Sequence, residues 1–504
     1  MRHCQILCLK ISIICLAFGF LSNSVVAQSK GAKILNYQEV FYHFYRKDEL
    51  NAIISLTAGI ESASLPGNIV SNNLLLGSMY YMYGLQDSAE KALRKMVNNN
   101  RAKASQRATA WFYLSKLYFD QGRNKNLAVA LDGASKSLPA SLLNEFHYLK
   151  GMYHVNVNQL GVASRLLQDI ERDNFWYELY KFNLGTAYIR SKKGDAGIEL
   201  IHSVGEGSEE SEKILALQDK AKIVLGYYFL RNSSAGDAVE TLQNVRLEGP
   251  FSHKALLGIG WAFINKKQFR KALVPWTTLA EKSIDQVTVQ EAILAVPFAY
   301  KELGALDNSM RLYENAIGNY RQFEAELDIA IKQVKDKKFF NEVFQRNYID
   351  DFSITESLLK SKDSTQGKLL IDMLAQKEFQ VLFNIYRDLQ QLKSHILDWS
   401  NHLASMEINL GLLPEDQNFA LSDKPRKRPF VKTKRYYEEA VLTLTDRIKL
   451  QDDRLNILLG MYETFMQEQI LSELNKRKEY IVTYLSQSRF ALAELLDEAQ
   501  GDIQ

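Results

Sequence analysis

The sequence predicts an all-α protein, a helical solenoid of paired helices followed by a long antiparallel helical hairpin, with no sheet. Three observations lead there. A small residue returns on apolar helical faces at steps of 34 to 41 residues between positions 77 and 297. After about residue 321 this period gives way to heptads. Eight prolines and 26 glycines are few for 504 residues, while 46% hydrophobic and 24% charged residues suit helices that bury one face. A chain of this length outgrows a single core, so an array is expected rather than one compact domain.

The first element is a targeting segment. Residues 1–27, "MRHCQILCLKISIICLAFGFLSNSVVA", carry a basic start (Arg2, Lys10), an apolar stretch from Ile11 to Leu21 and small residues before a cut expected after Ala27. The apolar stretch is about half the roughly 20 residues that a membrane-spanning helix needs, so no integral membrane span is expected after cleavage. All three cysteines, Cys4, Cys8 and Cys15, lie inside this segment. The mature chain then has no thiol for a disulfide, a nucleophile or a zinc site. Removing Arg2 and Lys10 lowers the formal charge from +3 to +1, too balanced for whole-protein binding to nucleic acid. Export, most simply to the periplasm of a Gram-negative bacterium, is the expected localisation.

The repeat fills residues 28–320. Its markers are Gly77, Ser115, Gly151, Gly185, Gly226, Gly260 and Pro297, at steps of 38, 36, 34, 41, 34 and 37 residues. Two helices packed closely need a residue without bulk where their axes meet, and Gly77 with Ala89 is expected to supply both sides of that contact. Tyr80, Phe229 and Phe263 are expected to fill the wedge between successive pairs. The units of Ser115 and Gly151 read as carrying one extra residue before their second alanine, and the step from Gly185 to Gly226 as holding a loop at "GEGSEESE" (205–212). Residues 34–60 form an atypical end pair without the glycine.

These residues resemble the tetratricopeptide repeat superfamily, whose pattern is W-x2-L-G-x2-Y, then A-x3-F, then P. Leu225, Gly226, Phe229, Ala238, Leu242 and Pro250 give the fullest copy; Trp111, Leu114, Ser115 and Tyr118, and Leu76, Gly77, Tyr80, Ala89 and Leu93, give others. The resemblance implies a right-handed superhelix of about seven to eight helix pairs and a non-enzymatic scaffold that binds a protein or peptide partner in the cell envelope. The residue after each marker is implied to face the groove. That offset gives Tyr227, Trp261 and Phe298 as aromatic anchors, with Arg190, Arg231, Asn265 and Lys301 near the ends of the same helices. Such a groove suits an extended peptide with an acidic element.

Residues 321–366 are expected to be connecting helices, and 367–504 the hairpin. One seam runs Leu382, Ile385, Leu389, Leu392, Ile396, Trp399, Leu403, Met406 and Leu410, the steps of three and four of a coiled coil. A second runs Val441, Leu444, Ile448, Leu455, Leu458, Tyr462 and Phe465, with polar Gln451 in line, and a third register holds Leu471, Leu474, Ile481, Leu485, Leu492 and Leu495. The linker 411–435 joins the arms. Within it "KPRKRPFVKTKR" (424–435) has seven basic residues of twelve, so Lys424, Arg426, Lys427 and Arg428 are candidate anion contacts. The arms could equally carry a homo-oligomer, which would make the chain a self-assembling structural protein.

Catalytic, metal and cofactor sites are not expected. The eight histidines include no H-E-x-x-H; His147 with His154, and His395 with His402, are two turns apart. "GIGW" (258–261) lacks the third glycine of a dinucleotide loop, and no phosphate-loop or nucleophile-elbow motif occurs. Lytic transglycosylases are similar in joining a signal peptide to a helical superhelix, but only "TESLLKS" (355–361), with Glu356, echoes them, and their glycine-rich motif is absent.

Overall fold

The computed structural model describes residues 30–46, 48–66, 69–172, 174–206, 211–336, 365–374, 376–412, 418–420 and 431–501. The targeting segment, Glu356, and Lys424, Arg426, Lys427 and Arg428 lie outside them. The described chain falls into two compact units, residues 1–282 with 302–304, and residues 283–301 with 305–504.

The first unit is seven helix pairs: α1 (Lys30–Tyr45) with α2 (Glu49–Glu61), α3 (Ile69–Tyr83) with α4 (Gln86–Val97), α5 (Ala104–Asp120) with α6 (Asn124–Ala134), α7 (Leu143–Asn156) with α8 (Leu160–Leu166), α9 (Phe175–Arg190) with α10 (Gly194–His202), α11 (Glu212–Arg231) with α12 (Ala235–Gln243), and α13 (Ser252–Asn265) with α14 (Phe269–Ala280). An eighth pair, α15 (Val287–Glu302) and α16 (Leu306–Lys335), belongs to the second unit. These pairs repeat one antiparallel helix–turn–helix arrangement. Seven residues after every marker the backbone turns left-handed, at Gly84, Gly122, Asn158, Lys192, Ser233, Lys267 and Gly304. Nine residues after every marker the second helix begins. Pro297 is therefore equivalent to the glycines.

That regularity corrects two expectations. No extra residue precedes the alanine position in the units of Ser115 and Gly151, because the turn fixes the spacing; buried Leu127 and Ala163 occupy the twelfth position after their markers. The glycine contact also differs. A Cβ on Gly77 would fall 2.9 Å from Leu93, one turn beyond Ala89. The same sixteen-residue offset sets Gly185 against Ile201, Gly226 against Leu242 and Gly260 against Trp276, each too close for a side chain. The second helix of each of these pairs thus meets the glycine with a large residue, and the glycine makes room for it. Tyr80 packs against the cores on both its sides, as a wedge residue should. The surplus between Gly185 and Gly226 sits in the loop after α10 and in a longer first part of α11, which begins 14 residues before its marker, against eight for α3, α7 and α13.

A second period lies seven residues before the marker. Asn144 Oδ1 accepts from the Glu171 backbone N–H at 3.2 Å, Glu178 Oε2 from Gly205 at 2.5 Å, and Asp219 Oδ1 from Arg246 at 3.2 Å, in each case 27 residues on. A side chain near the start of the first helix thereby accepts from an N–H of the chain just beyond the second helix, where the helical ladder no longer supplies an acceptor.

In the second unit α16 runs unbroken through residue 320, the boundary drawn from sequence, to Lys335. It packs beside the last helix, α19 (Lys434–Gly501): Gln467 donates to Val334 C=O at 2.8 Å, Lys478 pairs with Asp328 at 2.5 Å, and Tyr484 stacks on Tyr320 with centroids 6.0 Å apart. Residues 321–335 therefore cover the surplus length of α19, which at 68 residues is about 100 Å long. Buried Met466 and Ile470 carry its apolar stripe across the interval between Phe465 and Leu471, where the heptad spacing breaks, without interrupting the helix. α17 (Thr365–Leu374) precedes α18 (Lys377–Gly411), which lies antiparallel to α19: Lys393 bonds Asn456, and seven residues earlier on α18 Tyr386, held above the usual tyrosine range by burial, is raised further by the charge of Glu463, seven residues later on α19.

The expected absence of a sheet is corrected by a small antiparallel ribbon in the linker, β1 (Asn418–Ala420) with β2 (Val431–Thr433), registered Asn418 to Thr433. Two antiparallel helices bring the linker's ends together, and short extended segments there can pair their backbones. The first seam is corrected as well. Phe379, Phe383, Tyr386, Leu389 and Leu403 are buried, Leu382, Ile385, Leu392, Ile396 and Leu410 are half-buried, and Trp399 and Met406 are exposed. One facing helix covers only one of the two seven-residue lines.

Candidate functional site

The first helices of successive pairs in the first unit present one face, and its densest part lies in the early pairs. Lys116 on α5 sits with its ammonium 2.6 Å from Glu145 Oε1 on α7 and over three rings, 5.4 Å from the centroid of Tyr81, 5.6 Å from Phe112 and 5.9 Å from Tyr113. Tyr81 on α3 donates its hydroxyl to Asp120 Oδ2 at 2.8 Å and lies 6.1 Å from Tyr113. Three pairs are thus joined by one cation, two carboxylates and three rings. Burial, reinforced by Asp120, holds the Tyr81 phenol far above the usual tyrosine range, and burial with Glu145 raises Tyr113. Further along, Asn183 donates to the Tyr148 hydroxyl at 3.1 Å, and Tyr148 packs 5.1 Å from Trp176. Burial pushes Tyr148 up to about 12.

A pH dependence follows. In the unfolded chain Tyr148 ionises near its ordinary 10.0, in the folded chain only near 12. Between those values the folded state holds more protons. The contribution is complete below pH 10 and is lost as pH rises toward 12, by about 1.4 kcal/mol per unit. Urea unfolding across that window should show a shallower fall for Tyr148→Phe than for the parent chain; parallel curves would refute the assignment.

The cluster provides ring faces, hydroxyls and a lysine–carboxylate pair held in place. Among the described residues no group of three or more histidine, cysteine, aspartate or glutamate side chains is placed to hold a metal ion, and no helix is long and apolar enough to cross a membrane.

The residues expected from sequence are placed in two separate sets. In the first unit, Arg190, Arg231 and Asn265 are the exposed last residues of α9, α11 and α13. Tyr227 is partly exposed, with its hydroxyl donating to Lys254 C=O at 3.0 Å. Trp261 is half-buried with its ring 4.9 Å from fully buried Trp276 at 74°. It is therefore in part a packing residue, and its removal will disturb α13 against α14. Phe298 and Lys301 belong to the second unit. Phe298 is half-buried, and Lys301 is held 2.8 Å from Glu494 and 3.7 Å from Glu498. Lys301 is engaged by the chain's own carboxylates on α19, which hold it above the usual lysine range, as Glu145 engages Lys116.

Sequence reasoning applied the groove offset only to the late units and missed Lys116. The same offset from Ser115 leads straight to it, and the aromatic runs Tyr80–Tyr81 and Trp111–Phe112–Tyr113 flank the position.

No protein-family model matches this chain, and no curated protein matches it. Solved structures similar to it include the apo form of RapI, 12% identical over 77% of this chain and 98% of that one with a TM-score of 0.38. A tetratricopeptide repeat protein from Parabacteroides merdae is 10% identical over 53% of this chain and 99% of that one, TM-score 0.34. MamA from AMB-1 is 17% identical over 35% of this chain and 91% of that one, TM-score 0.26.

Proposed function

We propose that the chain is a non-enzymatic scaffold, exported to the periplasm of a Gram-negative bacterium, that holds an extended segment of a protein partner on the first-helix face of its first unit. One observation carries the binding face: the cluster of Tyr81, Tyr113, Lys116, Asp120 and Glu145 runs across three pairs, and Arg190, Arg231, Tyr227 and Trp261 continue the same helices' equivalent positions. The groups of the cluster are pre-positioned by one another, so little ordering cost falls on binding there. The compartment rests on residues 1–27, and a role in assembling or exporting an envelope component rests on compartment and fold together.

The test places a photo-crosslinking amino acid at Lys116 or, as control, at exposed Val129 on α6, in cells of the source organism. A discrete crosslinked species from position 116 only, reduced at least tenfold by Arg231→Glu or Tyr113→Ala, is the expected result, with a mature chain beginning at Gln28. Equal crosslinking from both positions would overturn the binding face. A mature chain that retains Met1 and fractionates with the cytoplasm would overturn the compartment.

A further inference from the structure

Two lines of positions run along the first-helix face of the first unit, and both change sign at the same place. Five residues after the markers stand Met82, Asp120, Asn156, Arg190, Arg231 and Asn265; six residues before them stand Ser71, Thr109, Glu145, Leu179, Lys220 and Lys254. Contacts tie both lines to this face. Asp120 accepts from Tyr81 of the preceding pair, Glu145 meets Lys116 of the preceding pair, and at the equivalent place the Tyr227 hydroxyl donates to Lys254 C=O. On both lines the carboxylates fall in the third and fourth pairs and the cations in the fifth to seventh.

The two halves differ in what is left uncompensated. In the early half Lys116 neutralises Glu145 at 2.6 Å, which leaves exposed Asp120 as the net charge on these lines, beside the rings of Tyr81 and Tyr113. In the late half the carboxylates of α9, α11 and α13 are already committed: Glu178 lies 2.9 Å from Lys181, while Asp219 and Glu212 both pair with Arg246, at 2.7 and 3.2 Å. Arg190, Lys220, Arg231 and Lys254 are exposed, and none has a carboxylate partner among the described residues. Lys220 rests over the Phe182 ring, 5.2 Å from its centroid. Four cations on one face without a counter-charge attract an anion and repel a cation.

We infer that the partner segment is itself charge-polarised, which rests on the binding face proposed above: its acidic residues lie over α9, α11 and α13, and a basic residue lies at Asp120, between α3 and α5. Packed helices stand about 10 Å apart and an extended chain advances about 3.3 Å per residue, so every third residue of the segment comes level with a new first helix. Acidic residues three apart therefore meet Arg190 on α9, Lys220 with Arg231 on α11, and Lys254 on α13 in turn. From α5 to α11 is three such steps, which sets the basic residue about nine residues from the middle acidic one. The reversed placement brings carboxylates to Asp120 and a cation among four cations. Repulsion as well as attraction thus fixes which way the segment runs. A segment acidic throughout gains over the late pairs and loses at Asp120.

Fluorescence anisotropy on the full chain tests this with a labelled synthetic peptide of about fifteen residues, arginine at one end and glutamates spaced by three at the other. Binding should weaken about tenfold when the glutamates become glutamine. Arg190→Glu with Arg231→Glu should weaken it as much with unchanged helicity, since both positions are exposed. Changing the peptide's arginine to glutamate should weaken binding about threefold. Asp120→Asn, whose amide oxygen still accepts from Tyr81, should erase that preference. Binding that is lost in Tyr113→Ala but indifferent to the glutamates, or a preference for arginine that survives Asp120→Asn, would overturn the polarity and leave the face standing. No binding at about 1 mM would also overturn it, while the crosslink from position 116 tests the face independently.

Discussion

Lys181→Met is expected to be among the most damaging single substitutions in the molecule. Lys181 Nζ lies 2.9 Å from Glu178 Oε2, with the lysine side chain 7% and the glutamate 1% exposed. The ammonium also donates to Ser203 C=O and sits 5.2 Å from the Tyr177 ring centroid. Glu178 in turn accepts from the Gly205 N–H that leaves α10. Removing the lysine alone leaves a buried carboxylate with its charge uncompensated, which costs about 3–5 kcal/mol. Because each repeat opens largely on its own, the loss should be local. Amide exchange in α9 and α10 should accelerate more than about 100-fold while α3 and α4 stay unchanged. Glu178→Gln with Lys181→Met should recover most of it, since the amide oxygen still accepts from Gly205 and no charge remains. If the single variant exchanges like the parent, the pair does not hold this repeat together.

The second large effect concerns Gly260 and Trp276. Trp276 is fully buried, its indole N–H donates to Leu257 C=O at 3.1 Å, and its ring fills the space a Cβ on Gly260 would occupy. Trp276→Ala should cost about 3–5 kcal/mol, and Gly260→Ala alone about 1–3 kcal/mol through overpacking. The two should not add. Once the indole is gone the alanine enters vacant space, so the double variant should be no less stable than Trp276→Ala, a coupling of more than about 1 kcal/mol. Local stability of α13 and α14 by amide exchange gives the answer; additive losses would mean that the glycine is needed for some other reason.

What the sequence by itself determined was periodic. Turns, helix starts and markers keep fixed offsets because they depend on backbone geometry within some sixteen residues, and helix periodicity writes that onto the chain. The helix pairs and the positions of their small residues were therefore legible. So was the position of Arg190, Arg231 and Asn265 at exposed helix ends. What only the tertiary structure decided was which side chain meets which across elements. Leu93 rather than Ala89 faces Gly77 because the crossing point lies one turn further along α4. Lys301 is engaged by Glu494, 193 residues away, because α19 lies beside α15 and α16, and no local pattern encodes that neighbour. Trp399 and Met406 carry the same heptad signature as Leu389 and Leu403, yet are exposed. A hydrophobic period states that a residue wants a partner; only the packing of helices around it decides whether this chain provides one.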